Sequence, residues 1–440
     1  MNYADHFHGK KITVMGLGLL GRGVGDIKFL AECGAKLIVT DLKTEEQLAD
    51  SLAQLKDFKN IAYRLGGHNL EDFKNRDFIL KAAGVPLDSP YIAEAKKNNI
   101  PVEMSTALFA RLSGAMIVGV TGTRGKSTTT HLIHHILETN KEWLGERRVW
   151  LGGNVRGLST LALLPEVKPG DIAVLELDSW QLQGFGEAKL SPHVAVFTNL
   201  LPDHLNYYGG TPPNHRTGME KYFADKANIF KFQTETDFLI CGTEIGPQIE
   251  TRGKKIVADE LPSGWEIKLP GEHNRRNAAL ALEACRVMGL SDEAIRSALA
   301  TFSGVAGRLE FLREVRGVKI YNDTTATTPD ATLAALHALG KNIVLIMGGA
   351  DKNLEMSKLL AEMPEYCKGV ILLPGTGTDK LPPLAGALKV SNLTEAVDQA
   401  MSVAQAGDSV VLSPAFASFG LFKNEFDRGD QFVELVKKLG

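Results

Sequence analysis

Short apolar runs alternate with amphipathic stretches along nearly the whole chain. Residues 11–15 (KITVM) read as a buried strand. The glycine-rich GLGLLGRG follows, then apolar positions at Ile27, Phe29, Leu30 and Ala31 with helical spacing, then a second strand, KLIVTD, that ends at Asp41. That is a βαβ beginning, and the alternation continues to about Leu112, where Ser113-Gly114 marks a boundary. A new apolar strand, AMIVGV, begins at residue 115 and turns through TGTRGKST into the helix TTTHLIHHIL. Further strands are expected at DIAVLEL (171–177) and HVAVFTNL (193–200). A loop rich in Pro, Gly and His, PDHLNYYGGTPPNHR, then leads to a helix around MEKYFADKANIF. NRRNAALALEACRVM is strongly helical, with small apolar residues for close packing. From about residue 305 the alternation restarts, with strands at VKIYND, NIVLIMGG, GVILLPG and SVVLSPA and a closing helix, EFDRGDQFVELVKKL. No fixed-period repeat or low-complexity tract interrupts the pattern. The reading is three consecutive α/β units, with boundaries at 1–112, 113–304 and 305–440.

Bulk properties narrow the class of function. A chain of 440 residues is too long for one ordinary core, which agrees with several units. Apolar residues make up 44% and charged residues 23%, an ordinary globular balance, and the net charge of −3 argues against a general nucleic-acid binder. Cys33, Cys241, Cys285 and Cys367 are widely spaced, which suggests neither a zinc knuckle nor a disulfide framework. MNYADHFHGKK has no apolar core of the signal-peptide kind, and no apolar stretch is long enough to span a bilayer. The expectation is a reducing, cytoplasmic setting without membrane association.

The candidate chemistry begins at Gly119–Ser127. Val120 stands where the strict G-x-x-x-x-G-K-[ST] pattern has glycine, yet the physics of a phosphate loop remains. Gly122 and Gly125 let backbone N–H groups converge on phosphate oxygens, and Lys126 can reach the terminal phosphates. Ser127 or Thr128 can offer a hydroxyl to Mg²⁺. The plainer alternative is a Gly/Thr turn that merely joins a strand to a helix. Glu176 and His204 both fall just at or past strand ends, where open α/β sheets gather ligands. They read as metal ligands beside a phosphate, or as a strand-end charge and a capping loop histidine. A histidine ligand beside Mg²⁺ points to a second, less oxygen-rich site. The first unit carries its own fingerprint: Gly16-x-Gly18-x-x-Gly21 after a strand, with Asp41 about twenty residues on. Taken alone, residues 11–41 suggest an NAD-dependent oxidoreductase, but hydride transfer has no use for a separate phosphate loop.

Taken together, the motifs resemble the Mur ligases, ATP-dependent amide-bond ligases of peptidoglycan precursor synthesis. TGTRGKST resembles their phosphate loop, ELDSWQL (176–182) their E-x-S-S-x-Q-L segment, and Asp203-His204 their Asp-His after a strand. GEHNRRNAALALEA (271–284), GRLE (307–310), YNDTTATTPDAT (321–332) and SPAFASFGLFKNEFDRG (413–429) resemble later family motifs, so the likeness covers almost the whole chain. It implies an N-terminal Rossmann-like domain that binds a UDP-sugar, a central P-loop ATPase-type α/β domain and a C-terminal Rossmann-like domain.

The resemblance also implies roles. Gly122, Thr123, Gly125, Lys126, Ser127 and Thr128 would hold ATP phosphates, and Asn274, Asn277, Arg308 and Asp323 would make further ATP contacts. Ser127 and Glu176 would serve one Mg²⁺, and His204 and Lys226, the latter as a carbamate, a second, with Mn²⁺ as an alternative metal. Without the resemblance, Lys226 reads as a surface helical lysine, with Lys221 its nearest decoy. Gly18, Asp41, Leu42, Lys43, Gly84 and Asn154 would bind the UDP-sugar, and Thr327, Lys352 and Ser418 the amino acid. The implied substrates are ATP, UDP-N-acetylmuramoyl-L-alanine and glutamate, handled by a monomer. This chain departs from the family pattern in several places. Ala82-Ala83-Gly84 stands for Ser-Pro-Gly, Asp178 for a serine, and Glu425 where an aromatic is common, while GNVRG carries one residue more than G-N-I-G. These changes leave the ATP chemistry intact and the amino acid open, as D-glutamate, L-glutamate or another. A related ligase such as a folylpolyglutamate synthase is set apart by the N-terminal unit, and a non-catalytic nucleotide binder would need no amino-acid site.

Overall fold

A computed structural model describes residues 3–19, 21–203, 207–209, 215–258 and 260–440. The alternating pattern folds as three sheets. The first holds β1 (Lys11–Met15), β2 (Lys36–Asp41), β3 (Ile61–Leu65), β4 (Phe78–Lys81) and β5 (Val102–Glu103), all parallel, in the order β3-β2-β1-β4-β5. Val14 on the central β1 pairs with Val39 on one side and Leu80 on the other. The chain winds outward from β1 to β3 and returns to the opposite side at β4. The carboxyl ends of β1 and β4 therefore flank a switch point, the usual place for a ligand crevice.

The second sheet holds β6 (Met116–Thr121), β7 (Val149–Gly153), β8 (Ile172–Glu176), β9 (Val194–Phe197), β10 (Phe238–Gly242) and β11 (Lys254–Ala258) in the order β11-β10-β9-β6-β8-β7. It too is parallel, with Val120 opposite Glu176 and Thr121 opposite Phe197. Strands buried on both faces need continuous apolar runs, as in IAVLE and VAVF, where every position is buried.

The third sheet holds β12 (Glu310–Val315), β13 (Val318–Asn322), β14 (Ile343–Met347), β15 (Cys367–Leu372), β16 (Leu388–Lys389) and β17 (Ser409–Leu412) in the order β12-β13-β17-β14-β15-β16. The edge strand β12 pairs antiparallel with β13, and the other pairings are parallel. The apolar pattern of residues 310–315 is too weak to announce β12, because the edge position leaves most of it partly or fully exposed.

By compactness the chain divides into two units, Met1–Trp265 with Arg276–Leu299, and Glu266–Arg275 with Ala300–Gly440. The first two sheets share the first unit, where one apolar cluster runs from Ile12, Leu37 and Leu80 to Ala173 and Phe197. Two apolar clusters form the core around the third sheet, one with Ile320 and Val410, the other with Leu345 and Val411. Among the described residues, no helix is long and apolar enough to cross a membrane.

Candidate functional site

The phosphate loop leaves the central strand β6 and enters the helix Lys126–Thr139. The helix starts two residues before the TTTHLIHHIL stretch, so Lys126 and Ser127 lie in its first turn, whose N–H groups lack intrahelical acceptors. Gly122 has φ 140° and a Cβ there would lie 1.9 Å from Thr198 Oγ1; Gly125 has φ 81° and a Cβ would lie 2.2 Å from Asn277 Oδ1. Both positions therefore require glycine. Thr198 and Asn199, just past β9, brace the loop. Asn199 Oδ1 accepts from Arg124 N at 2.9 Å, Asn199 O accepts from Thr123 N at 2.9 Å, and Thr198 Oγ1 donates to Arg124 O at 2.6 Å. Lys126 Nζ curls over the loop and donates to Gly122 O and Thr123 O, both at 3.0 Å.

Two buried groups face this loop. Ser127 Oγ donates a short hydrogen bond to Glu176 Oε2, and Asn154 Nδ2 donates to Glu176 Oε1 at 3.2 Å. Arg22, on the first helix after β1, donates to Asn154 Oδ1 at 2.7 Å, so a chain of contacts runs from the first sheet to the phosphate loop. Lys226 is 1% exposed, unlike Lys221, which is exposed, so the expected decoy is set apart by burial. Its amine donates to Gly122 O at 2.7 Å and sits 4.7 Å from the Tyr222 ring centre. Burial, reinforced by the charge of Lys126, pushes the Lys226 amine well below the usual lysine range, although Asp178, Asp203 and Asp225 oppose this. His204 lies outside the described residues. Among the described residues, no group of three or more His, Cys, Asp or Glu is placed to hold a metal.

At the switch point of the first sheet lies a cleft of about 210 Å³, walled by Gly16–Gly18, Arg22, Lys81–Gly84 and Ser159 among others. Asp41 holds the loop that walls it. Its Oδ2 accepts from Leu17 N at 2.9 Å and Gly18 N at 3.1 Å, and its Oδ1 accepts from Lys43 N at 2.9 Å. The acidic residue of the dinucleotide-type fingerprint is thus engaged with the chain's own loop. Leu42 is 70% exposed at the edge of the same region, and Gly84 is open to solvent. Asp26 also lines the cleft, with its carboxyl pushed up to about 6 by burial against hydrogen bonds from Ser159 and Ser105.

In the second unit, Asp323 follows β13. Its Oδ1 accepts from Leu309 N at 2.9 Å and its Oδ2 from Ser413 Oγ at 2.7 Å; burial pushes the carboxyl up to about 7. Arg308 is exposed, and Asn274 Nδ2 donates to Pro270 O at 2.8 Å. Lys352 Nζ donates to Thr327 Oγ1 at 2.9 Å, and Ala417, one residue before the buried Ser418, pairs with Ala350. Of the three residues expected at an amino-acid site, Lys352 and Thr327 therefore meet, and Ser418 lies in the segment that pairs beside Lys352. Asn277 lies beside Gly125 in the first unit, whereas Asn274, on the same helix, belongs to the second.

Two departures from the family pattern have local physical reasons. Asp178 is the N-cap of the helix Ser179–Glu187: Oδ1 accepts from Gln181 N at 2.7 Å, and Gln181 Oε1 accepts from Asp178 N at 3.2 Å. Glu425 starts the helix Glu425–Lys438, and its charge supports the fully buried Arg428 guanidinium, which burial pushes down to about 10. Arg428 donates from NH2 to Thr324 O at 2.8 Å. Sequence reasoning passed over Arg22, Lys81, Thr198, Asn199 and Arg428. Lys81 had a signal, a lysine ending the apolar run FILK, and Arg428 had one in the closing Arg-Gly of SPAFASFGLFKNEFDRG.

Two parallel sheets with glycine loops, followed by a third sheet, define the class: a multidomain α/β protein whose middle sheet carries a loop of the phosphate-binding type. Residues 10–103 match the Mur ligase MurD-like N-terminal domain, residues 120–258 the Mur ligase middle domain and residues 307–416 the Mur ligase glutamate ligase domain. Curated relatives include the UDP-N-acetylmuramoylalanine–D-glutamate ligases of Roseiflexus sp. (36% identical, 98% of each chain) and Clostridium kluyveri (34% identical, 98% of this chain and 97% of the relative). The solved UDP-N-acetylmuramate-alanine ligase of Thermotoga maritima shares the fold, with TM-score 0.60 at 20% identity over 97% of this chain and 99% of that one. The Mycobacterium tuberculosis folylpolyglutamate synthase gives TM-score 0.54 at 15% identity over 76% of this chain and 94% of that one. This chain belongs to the Mur ligase family and is an ATP-dependent ligase that forms C–N bonds in peptidoglycan precursor synthesis.

Proposed function

We propose that the enzyme joins D-glutamate to UDP-N-acetylmuramoyl-L-alanine, with cleavage of ATP to ADP and phosphate through transfer of its terminal phosphoryl group to the alanyl carboxylate. The observation that carries this reading is the phosphate loop with Lys126 above it and the Ser127 hydroxyl on the buried Glu176. The substrate assignment follows the names of the relatives and of the C-terminal domain match. The three domains of this reading are 1–112 for the UDP-sugar, 113–304 for ATP and 305–440 for the amino acid.

A carboxylate is a poor electrophile, so the reaction first moves the terminal phosphoryl group onto the alanyl carboxylate. The amino group of glutamate then attacks the acyl phosphate and phosphate leaves. Lys126 neutralises charge on the transferring phosphoryl group, and the N–H groups of Gly125–Thr128 orient it together with Thr123. Arg308 stabilises the same charge, while Asn274, Asn277 and Asp323 position the rest of the nucleotide. Gly18, Leu42, Lys43, Gly84 and Asn154 hold the UDP-sugar, with Asp41 fixing their loop. Lys352, Thr327 and Ser418 bind glutamate carboxylates.

The paired hydroxyl and carboxylate of Ser127 and Glu176 are hard oxygen donors of the kind Mg²⁺ prefers, so the residues present fit that ion. Bound there, Mg²⁺ would supply charge neutralisation between phosphate and carboxylate. A second site would draw on His204 and on Lys226 as a carbamate, with Mn²⁺ as a substitute metal. Burial that lowers the Lys226 pKa raises the share of neutral amine, and the neutral amine is the form that adds CO₂. The reading places a monomer in the cytoplasm.

The test is phosphate release with UDP-N-acetylmuramoyl-L-alanine and a panel of D- and L-amino acids. Release that depends on D-glutamate supports the reading. Release with L-glutamate or another amino acid alone would replace the substrate, and no release with any would remove the reading.

A further inference from the structure

Lys81 ends the apolar strand β4 and is 2% exposed, a position where an ammonium is costly unless it has partners. Its partners are all carbonyls of the following turn. Nζ donates to Val85 O at 2.6 Å, Ala82 O at 3.2 Å and Ala83 O at 3.4 Å. In a trans peptide the C=O of one residue and the N–H of the next point in opposite directions. Turning the carbonyls of Ala82 and Ala83 onto the ammonium therefore turns the N–H groups of Ala83 and Gly84 away from it. Neither N–H has an acceptor among the described residues, and both residues line the cleft at the switch point. Two successive N–H groups facing one side form an anion-binding nest, and Arg22 lines the same cleft.

We infer that Lys81 is a positioning residue for an anionic substrate group: by gathering the carbonyls of the Ala82–Val85 turn, it presents the N–H groups of Ala83 and Gly84 to the diphosphate of the UDP-sugar. The inference rests on the proposed UDP-sugar site. It accounts for the loss of the serine hydroxyl at Ala82, because backbone donors held from behind need no side chain. Burial lowers the Lys81 amine to about 8, against the opposing charges of Asp178, Asp225 and Glu187, so near neutral pH the ammonium form predominates.

The experiment compares binding of UDP-N-acetylmuramoyl-L-alanine, UDP and uridine to the wild type and Lys81→Met, with thermal melting as the check on folding. The expected result is affinity for both diphosphates weaker by about 10-fold or more, with uridine affinity and the KM for ATP unchanged. Equal diphosphate affinity in a folded Lys81→Met protein overturns the inference, as does an equal loss for uridine. Should Lys81→Met not fold, Ala83→Pro deletes one of the two N–H groups directly, and a folded Ala83→Pro protein that binds UDP at wild-type strength overturns it. A wild type that binds none of the three uridine compounds overturns the UDP-sugar reading and this inference with it.

Discussion

The loops after β1 and β6 have the same outline, a central parallel strand followed by glycines and a helix, and they meet anions by opposite means. Gly21 and Gly125 both precede their helices in the left-handed region, at φ 82° and 81°. In the first loop, however, an anion of the chain itself is built in: the Asp41 carboxylate takes the N–H groups of Leu17 and Gly18. In the second, the buried carboxylate, Glu176, binds a hydroxyl of the first helical turn, and a lysine covers the glycines. A loop whose N–H groups already hold a carboxylate has fewer left for phosphate. A helix start with open N–H groups and a lysine attracts phosphate strongly. The same glycine pattern thus gives a loop covered by a lysine on one sheet and a loop held by the chain's own carboxylate on the other, which under the proposed function serve phosphate transfer and substrate binding.

The largest effect that sharpens this contrast is at Lys126. Lys126→Ala should lower ATP turnover by about 1000-fold while UDP-sugar affinity stays within about twofold, as measured by phosphate release and calorimetry. Joint loss of both would show that the two loops serve one site. Next comes Lys226→Ala, expected to lose about 100-fold in turnover and to recover in part with added short-chain carboxylates. A fully active variant would take Lys226 out of the site. Smaller, and on the other loop, Asp41→Asn places an amide donor against N–H groups and should weaken UDP-sugar binding by about 10-fold, with the KM for ATP unchanged.

The smallest effect concerns Asp323, which braces a strand end in the second unit much as Asp41 does in the first. Its folded-state pKa, raised to about 7 from 3.8, means that the folded protein holds the proton more tightly than the unfolded chain. This contribution is present below the unfolded value and is lost as pH rises from about 4 to about 7. Asp323→Asn should flatten that part of the urea-stability profile of the second unit, and an unchanged slope would reassign it.

The fold was legible because parallel strands buried on both faces must be apolar throughout, so KITVM, AMIVGV and NIVLIMGG stood out along with the glycine loops. The edge strand β12 did not, because one partly exposed strand carries little pattern. The nearness of Lys126 and Ser127 to Glu176 could be expected from the strand ends they follow, and Ser127 and Glu176 do meet. The burial of Lys226 could not, since ADKANIF reads equally well as a surface helix until the phosphate loop is packed against it. Thr198 and Asn199 were invisible for another reason: they act through backbone atoms of Arg124 and Thr123, contacts that only the β6–β9 pairing brings together. Asp41 was visible as a residue, but its fingerprint suggested a dinucleotide ligand where the structure gives it backbone N–H groups.

The central claim is that the middle loop transfers a phosphoryl group to the carboxylate of the substrate held by the first sheet. The direct measurement uses UDP-N-acetylmuramoyl-L-alanine labelled with ¹⁸O in its alanyl carboxyl group, with mass analysis of the phosphate released in the presence of D-glutamate. The account predicts one labelled oxygen in each phosphate formed by the wild type and almost no phosphate from Lys126→Ala. Unlabelled phosphate formed at the rate of amide synthesis would contradict it.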